Sequence, residues 1–264
     1  MRKYFSMLFL ILFVFNEPVG AQTSIKEPAY VKIETNLGTM YFKLATETPN
    51  HTSIFLKQAK KGLFNKYDFN RVIKGFVIQG GETDSAYAEM NKMPGQNVNY
   101  VNPEFKTNLF HQKGALAAGR DDNKDKKSFE KQFYVVDGKK YTDAQLDGVE
   151  KRIGGNFKFT DSARKIYKEI GGVPHLDQNY TVFGQLIKGY DVLEKIVNAK
   201  KDKADKPLNR ISIKVSVLNK REIKKLLQVF SYSPLVAGLV SSPSIALSNF
   251  VPSPSANFFS SGVY

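Results

Sequence analysis

Phe69-Asn70-Arg71-Val72-Ile73-Lys74-Gly75-Phe76-Val77-Ile78-Gln79-Gly80-Gly81 is the stretch whose reading decides the fold. β-Branched and aromatic residues dominate it, so it reads as two short strands around the turn Lys74-Gly75. Arg71 and Gln79 are its polar exceptions. An arginine on a strand is ordinarily a solvated face residue or an ion-pair partner, and Gly80-Gly81 alone marks a turn. The segment gains weight from the pattern on either side of it.

Upstream, Tyr30 to Glu34 and Met40 to Leu44 flank Asn36-Leu37-Gly38 as a β-hairpin. Thr48-Pro49 opens a helix that Gly62 closes, because proline suits a first turn and glycine a helix end. Downstream, residues 83–104 read as a loop containing Gly and Asn, followed by an apolar strand from Gly114 to Gly119. Gln132 to Val136 and Tyr180 to Ile187 read as further buried strands. Between them, residues 137–174 differ in character. Thr142-Asp143-Ala144-Gln145 is a capping-box pattern, and Thr160 to Gly171 reads as a second helix, so this segment is expected to be a helical insertion in a β protein. Tyr190 to Ala199 is expected to be a helix, and Ile211, Ile213, Val215 and Val217 alternate as a final strand.

Both ends depart from this globular pattern. Arg2 and Lys3 precede the apolar run Phe5 to Phe15, and Val19-Gly20-Ala21 precedes Gln22, which is the order of a cleavable secretory signal peptide over residues 1–21. The apolar run is short for a membrane span. Residues 221–264 are expected to lie outside the fold, because from Leu226 onwards no charged residue occurs and Ser, Pro and Phe recur without a period. The main domain is then residues 22–220.

A composition of 42% hydrophobic and 12% aromatic residues supports a sizeable core in the 264-residue chain. Cysteine is absent, which excludes disulfides, thiolate metal sites and cysteine nucleophiles. His51, His111 and His175 fall on separate elements without ligand spacing, so no metal site is expected. Losing residues 1–21 removes two cations and one carboxylate, taking the net charge from +14 to +13. No nucleic-acid motif interleaves aromatics with this positive charge, so nucleic acid is not an expected partner.

The chemistry enters through Arg71, Phe76 and Gln79, which lie together in a segment that resembles the signature of cyclophilin-type peptidyl-prolyl isomerases. The resemblance extends through Gly114-Ala115-Leu116-Ala117-Ala118-Gly119-Arg120, Gln132-Phe133-Tyr134, His175-Leu176-Asp177 and Tyr180-Thr181-Val182-Phe183-Gly184. It covers roughly residues 30–219, apart from the insertion. It implies a mainly β fold, a closed antiparallel barrel with a helix capping each end. It also implies cofactor-free cis/trans isomerisation of X-Pro bonds. Arg71 would engage the proline nitrogen, Gln79 would hold the substrate backbone and Phe76 would wall the proline pocket. Val77, Gly119, Arg120, Gln132, Tyr134, Leu176 and Tyr180 would complete the binding surface. Taken singly, Phe76, Val77, Tyr134 and Leu176 equally fit plain core positions.

Three positions depart from what many family members carry: Arg120 stands for Asn, His175 for Trp and Tyr180 for His. These departures motivate an alternative reading as a weakly catalytic proline-peptide-binding module or chaperone. An envelope-adhesion protein would account for the charge and the tail, but not for the signature. The expected enzyme is a monomer that assists folding of exported, proline-containing polypeptides. It would reside most naturally in a periplasm, without stable membrane insertion once the signal is removed.

Overall fold

The computed structural model describes residues 27–93 and 98–231. The expected signal peptide and the residues beyond Ser231 lie outside them. In chain order the elements begin with β1 (Tyr30–Thr35), β2 (Gly38–Leu44), α1 (Pro49–Lys60), β3 (Phe69–Val72) and β4 (Val77–Gly81). They continue with α2 (Asp84–Lys92), β5 (Tyr100–Val101), β6 (Ala115–Ala118), β7 (Ser128–Phe129) and β8 (Gln132–Val136). The remainder are α3 (Asp143–Ile153), α4 (Asp161–Glu169), β9 (Val182–Lys188), α5 (Tyr190–Val197), β10 (Lys214–Val217) and α6 (Lys220–Ser231).

Eight strands form one antiparallel sheet in the order β10-β1-β2-β9-β6-β8-β4-β3, a curled half-barrel accompanied by helices. Near its two edges, a bridge joins Asp68 to Ser212. Phe69 N donates to Ile211 O at 2.9 Å, and Ile213 N donates to Tyr67 O at 3.2 Å. This explains why the expected last strand is shorter than its alternation. Pairing with β1 ends at Lys214, and the chain before it turns to bond with residues 67–69 instead.

Strand periodicity sorts the side chains into two cores. On β8, Phe133 and Val135 enter the inner core, while Tyr134 and Val136 face a second one. On β6, Leu116 and Ala118 face inward and Ala115 and Ala117 outward. The inner core also takes Phe55 from α1 and Val192, Leu193, Ile196 and Val197 from α5. Phe133 meets Phe55, Phe64 and Phe69 edge-on, with ring centroids 5.5–6.1 Å apart, the favourable arrangement for aromatic quadrupoles.

Several helices follow directly from their caps. Thr142 and Gln145 form a reciprocal capping box at α3, and Thr160 accepts from Ala163 N at α4. α1 lacks a side-chain cap of its own. Glu104 fills that role from a distance, accepting from Asn50 N and His51 N at 3.1 and 3.0 Å. The segment of residues 137–174 thus contains α3 and α4, which share a small core including Leu146, Val149, Phe159, Ile166 and Tyr167.

Two sequence readings need correction. The expected loop from residue 83 contains α2, capped by Thr83 accepting from Ala86 N. Ala86, Ala88, Glu89 and Met90 are good helix formers whose propensity outweighs the polar appearance of the stretch. α6 also carries the described fold past residue 220. Asn219 Oδ1 accepts from Arg221 N and Glu222 N, while Glu222 accepts from Asn219 N. This capping arrangement starts a helix that buries Leu226.

Candidate functional site

The site begins as a row of neighbours across the sheet. Arg71 on β3 pairs in register with Gln79 on β4, Gln79 with Tyr134 on β8, and Tyr134 with Ala117 on β6. Directly opposed residues project to the same side of a sheet about 4.5–5.5 Å apart. Arg71, Gln79 and Tyr134 therefore come together although up to 63 positions separate them in sequence.

A cavity of about 380 Å³ opens over this row. Arg71, Phe76, Val77, Gln79 and Tyr134 line it from the signature strands and β8. Gly119, Arg120 and Gln132 line one side, and Leu176 and Tyr180 another. The ten residues that the resemblance assigns to catalysis or binding thus line one cavity, while His175 lies outside it. Asp84, Tyr87 and Asn91 of α2 line it as well, and sequence reasoning missed them because it read their helix as loop.

Arg71 is exposed at the rim, and among the described residues its guanidinium has no hydrogen-bond or ion-pair partner. Its five N–H donors are therefore open to a bound group. Gln79 is buried and its Nε2 lies 3.5 Å from Asp84 Oδ1. The same carboxylate oxygen accepts from Gln132 Nε2 at 2.7 Å. A carboxylate only accepts, so Asp84 turns the Gln79 amide nitrogen towards itself and leaves the Gln79 carbonyl to receive a donor from the cavity.

The apolar part is built from rings. Phe76 stacks on His175 with centroids 5.8 Å apart and planes at 4°. Tyr134 meets Tyr180 nearly edge-on at 5.9 Å. Arg120 lies over the Tyr180 ring at 4.7 Å, and its Nε donates to Asn179 O at 2.8 Å. Arg120 also donates to Asp121 O and to Asn179 Oδ1. Its donors are therefore spent on fixing the rim. Gly119 is bonded into the structure too, N–H to Gln132 O and C=O from Phe129 N. A Cβ there would collide with the Gln132 side chain, so glycine is required by close approach.

Beneath the pocket lies a buried relay that the linear sequence gave no means of assembling. Tyr134 Oη is 2.8 Å from His111 Nε2, and His111 Nδ1 is 2.6 Å from Asp177 Oδ1. Tyr167 of α4 donates to Asp177 Oδ2 at 2.6 Å. The acceptor-only carboxylate makes His111 donate through Nδ1, and in the neutral ring that tautomer leaves Nε2 to accept from the Tyr134 hydroxyl. Burial, with the nearby Asp177 charge adding to it, pushes the Tyr134 and Tyr167 phenols well above their ordinary range, so both remain donors. His175 titrates below the ordinary histidine range, through burial and then the positive field of Arg152.

Comparison with known proteins agrees with this geometry. The family model described as cyclophilin type peptidyl-prolyl cis-trans isomerase/CLD matches residues 30–217. A Staphylococcus saprophyticus protein named as a peptidyl-prolyl cis-trans isomerase is 36% identical over 185 residues, covering 69% of this chain and 87% of that one. A Staphylococcus aureus protein of the same name is 34% identical over 186 residues, covering 69% and 88%. The crystal structure of a Cryptosporidium parvum cyclophilin type peptidyl-prolyl cis-trans isomerase shares the fold, with a TM-score of 0.53 at 23% identity, over 74% of this chain and 99% of that one. A second structure of that protein, determined in the presence of the dipeptide Ala-Pro, gives a TM-score of 0.51 over 72% of this chain. The chain therefore belongs to the cyclophilin-type peptidyl-prolyl cis-trans isomerases.

Proposed function

We propose that this isomerase turns X-Pro bonds of exported polypeptides, with Arg71 as the catalytic donor, Gln79 as the backbone holder and Phe76 as a wall of the proline pocket. Rotation about the amide carries a barrier of roughly 18–20 kcal/mol because it breaks resonance. As conjugation is lost, the proline nitrogen gains a lone pair that can accept a hydrogen bond. A donor aimed at that nitrogen acts mainly in the twisted state, so it lowers the barrier and does not merely tighten binding. The observation that carries this reading is the uncommitted Arg71 guanidinium in a cavity it shares with Phe76 and Gln79. The Ala-Pro dipeptide used with the Cryptosporidium protein supports proline peptides as ligands of this groove.

Val77, Tyr134, Leu176 and Tyr180 would cradle the pyrrolidine ring and its neighbours. Gln132 and Asp84 would hold Gln79 in its receiving orientation, and Gly119 would leave room for the Gln132 side chain that takes part in that hold. Arg120 acts by positioning Tyr180. Closure of the half-barrel is supported by the bonds linking residues 67–69 to 211–213. The separate core of α3 and α4 supports their being an insertion on the barrel. The charged, apolar and small-residue order of residues 1–21 supports export to a periplasm, and the enzyme is taken as a monomer.

The test is a protease-free isomerisation assay on a proline peptide with Arg71→Ala. Removing one transition-state donor is expected to lower kcat/KM by about 10²–10³-fold. Arg71→Lys should restore little, since an ammonium lacks the planar fork. An unchanged rate in folded Arg71→Ala would remove Arg71 from the mechanism.

A further inference from the structure

A second cleft, of about 490 Å³, adjoins the proline pocket on the far side of Phe76 and His175. Phe76 lines both cavities. The new cleft is bounded by Lys139, Tyr141, Gln145, Val149 and Arg152, so α3 forms much of its wall.

The sequence of α3 explains the charge of that wall. Residues spaced by four and then three share a helix face. Asp143, Asp147 and Glu150 form one such row, and Gln145, Val149 and Arg152 another. The acidic row is committed elsewhere: Arg164 pairs with all three carboxylates, Lys168 with Asp143 and Lys158 with Glu150. The second row turns to the cleft. Among the described residues Arg152 has neither ion pair nor hydrogen bond, and Lys139 only approaches the Tyr141 ring, 5.8 Å from its centroid. The cleft thus joins unneutralised cations to aromatic walls, with its helix's carboxylates drawn away.

We propose that this cleft is an accessory substrate subsite that takes an acidic side chain, Asp or Glu, lying near the isomerised proline. The proposal rests on the proline-peptide reading of the main groove. An extended chain advances ~3.3–3.6 Å per residue, so a residue only a few positions from the proline on Phe76 can enter across the shared wall. Carboxylate charge meets Arg152 and Lys139, and the aliphatic stem of the acid lies against Tyr141 and His175. Arg152 and Lys139 are then specificity-determining residues supplied from outside the signature.

The test uses the purified full chain and paired peptides carrying Glu or Gln at each of the three positions before and after proline. Both kcat/KM and equilibrium binding by fluorescence anisotropy are measured. At low salt, one position should favour Glu by roughly three- to fivefold, the range of a solvent-accessible ion pair. The preference should fall towards unity in 1 M salt, where screening reaches ~3 Å. It should also disappear in the Lys139→Gln/Arg152→Gln double variant, a change in ratio that a general loss of folded protein would not produce. A Glu/Gln ratio near one at every position, or one preserved in the double variant, overturns the subsite. Active isomerisation with no Glu preference refutes the subsite alone. A Glu preference in binding without turnover supports the subsite and refutes the catalytic reading.

Discussion

Replacing Tyr134 by Phe separates the two jobs of that side chain, since it deletes the hydroxyl and keeps the ring. Among the described residues the hydroxyl makes one bond, 2.8 Å to His111 Nε2, and Tyr134 is only 4% exposed. Its removal leaves a buried imidazole acceptor with no donor, which costs about 1–3 kcal/mol. His111 cannot simply turn away, because Asp177 grips both its Nδ1 and its backbone N–H. A loss near ~2 kcal/mol corresponds to a melting temperature lower by roughly 4–8 °C for a domain of this size. The pocket wall survives, so kcat/KM well below the transition should stay within about threefold. Urea unfolding monitored by circular dichroism, with peptide isomerisation of the same samples, checks both halves. Adding Tyr167→Phe at the far end of the relay should give non-additive losses, with a coupling of about 0.5–3 kcal/mol. An unchanged unfolding midpoint in Tyr134→Phe would refute the relay as a source of stability. A tenfold fall in kcat/KM with unchanged stability would instead place the hydroxyl on the substrate.

Other outcomes follow from separate parts of the molecule. Burial raises the Glu104 carboxyl, but hydrogen bonds from the His51 ring and from the His51 and Asn50 backbone outweigh it and hold its pKa below the ordinary 4.5. Its contribution to stability is therefore complete above about pH 4.5 and lost as pH falls through the depressed folded value. Glu104→Gln should destabilise the protein at pH 7 and converge on the parent in acid, as urea titrations across that range will show. Arg120→Ala should raise KM severalfold while changing kcat by less than about twofold, because it loosens Tyr180 and touches no reacting atom; steady-state kinetics would contradict this if kcat alone fell. Truncation after Ser231 should leave the unfolding midpoint unchanged. Truncation after Lys220 should cost about 1.5–3 kcal/mol through loss of buried Leu226, and equal midpoints would show that α6 contributes nothing.

Local chemistry made much of this architecture readable. Pro49 and Gly62 bounded α1, Thr142 with Gln145 announced α3, and Thr160 announced α4, because caps and turns are decided by neighbouring residues. Short continuous apolar runs did the same for β6 and β8, both of whose faces are buried. The Asn219–Glu222 cap was equally local, but the uncharged run beyond Leu226 drew the expected boundary too early. The site residues within the signature were readable only through family resemblance, since nothing local distinguishes Arg71 from a solvated strand arginine. In the fold, the distinction comes from register: Arg71, Gln79 and Tyr134 fall in one row across adjacent strands.

The relay carries this limit furthest. His111, Asp177 and Tyr167 each have an ordinary local reading, and their joint one depends on pairing across 66 positions. That pairing has a consequence for the α3 and α4 segment. Its core takes in Phe110 from outside the segment, and Tyr167 reaches from that core to the carboxylate that orients His111 beneath Tyr134. On its other side, α3 helps wall the cleft that shares Phe76 with the main cavity. The segment therefore touches the pocket from below through hydrogen bonds and from beside through Phe76 and His175. Replacing it with a short linker would strip Tyr167 from Asp177 and open both the floor and the flank, even with every strand of the sheet intact.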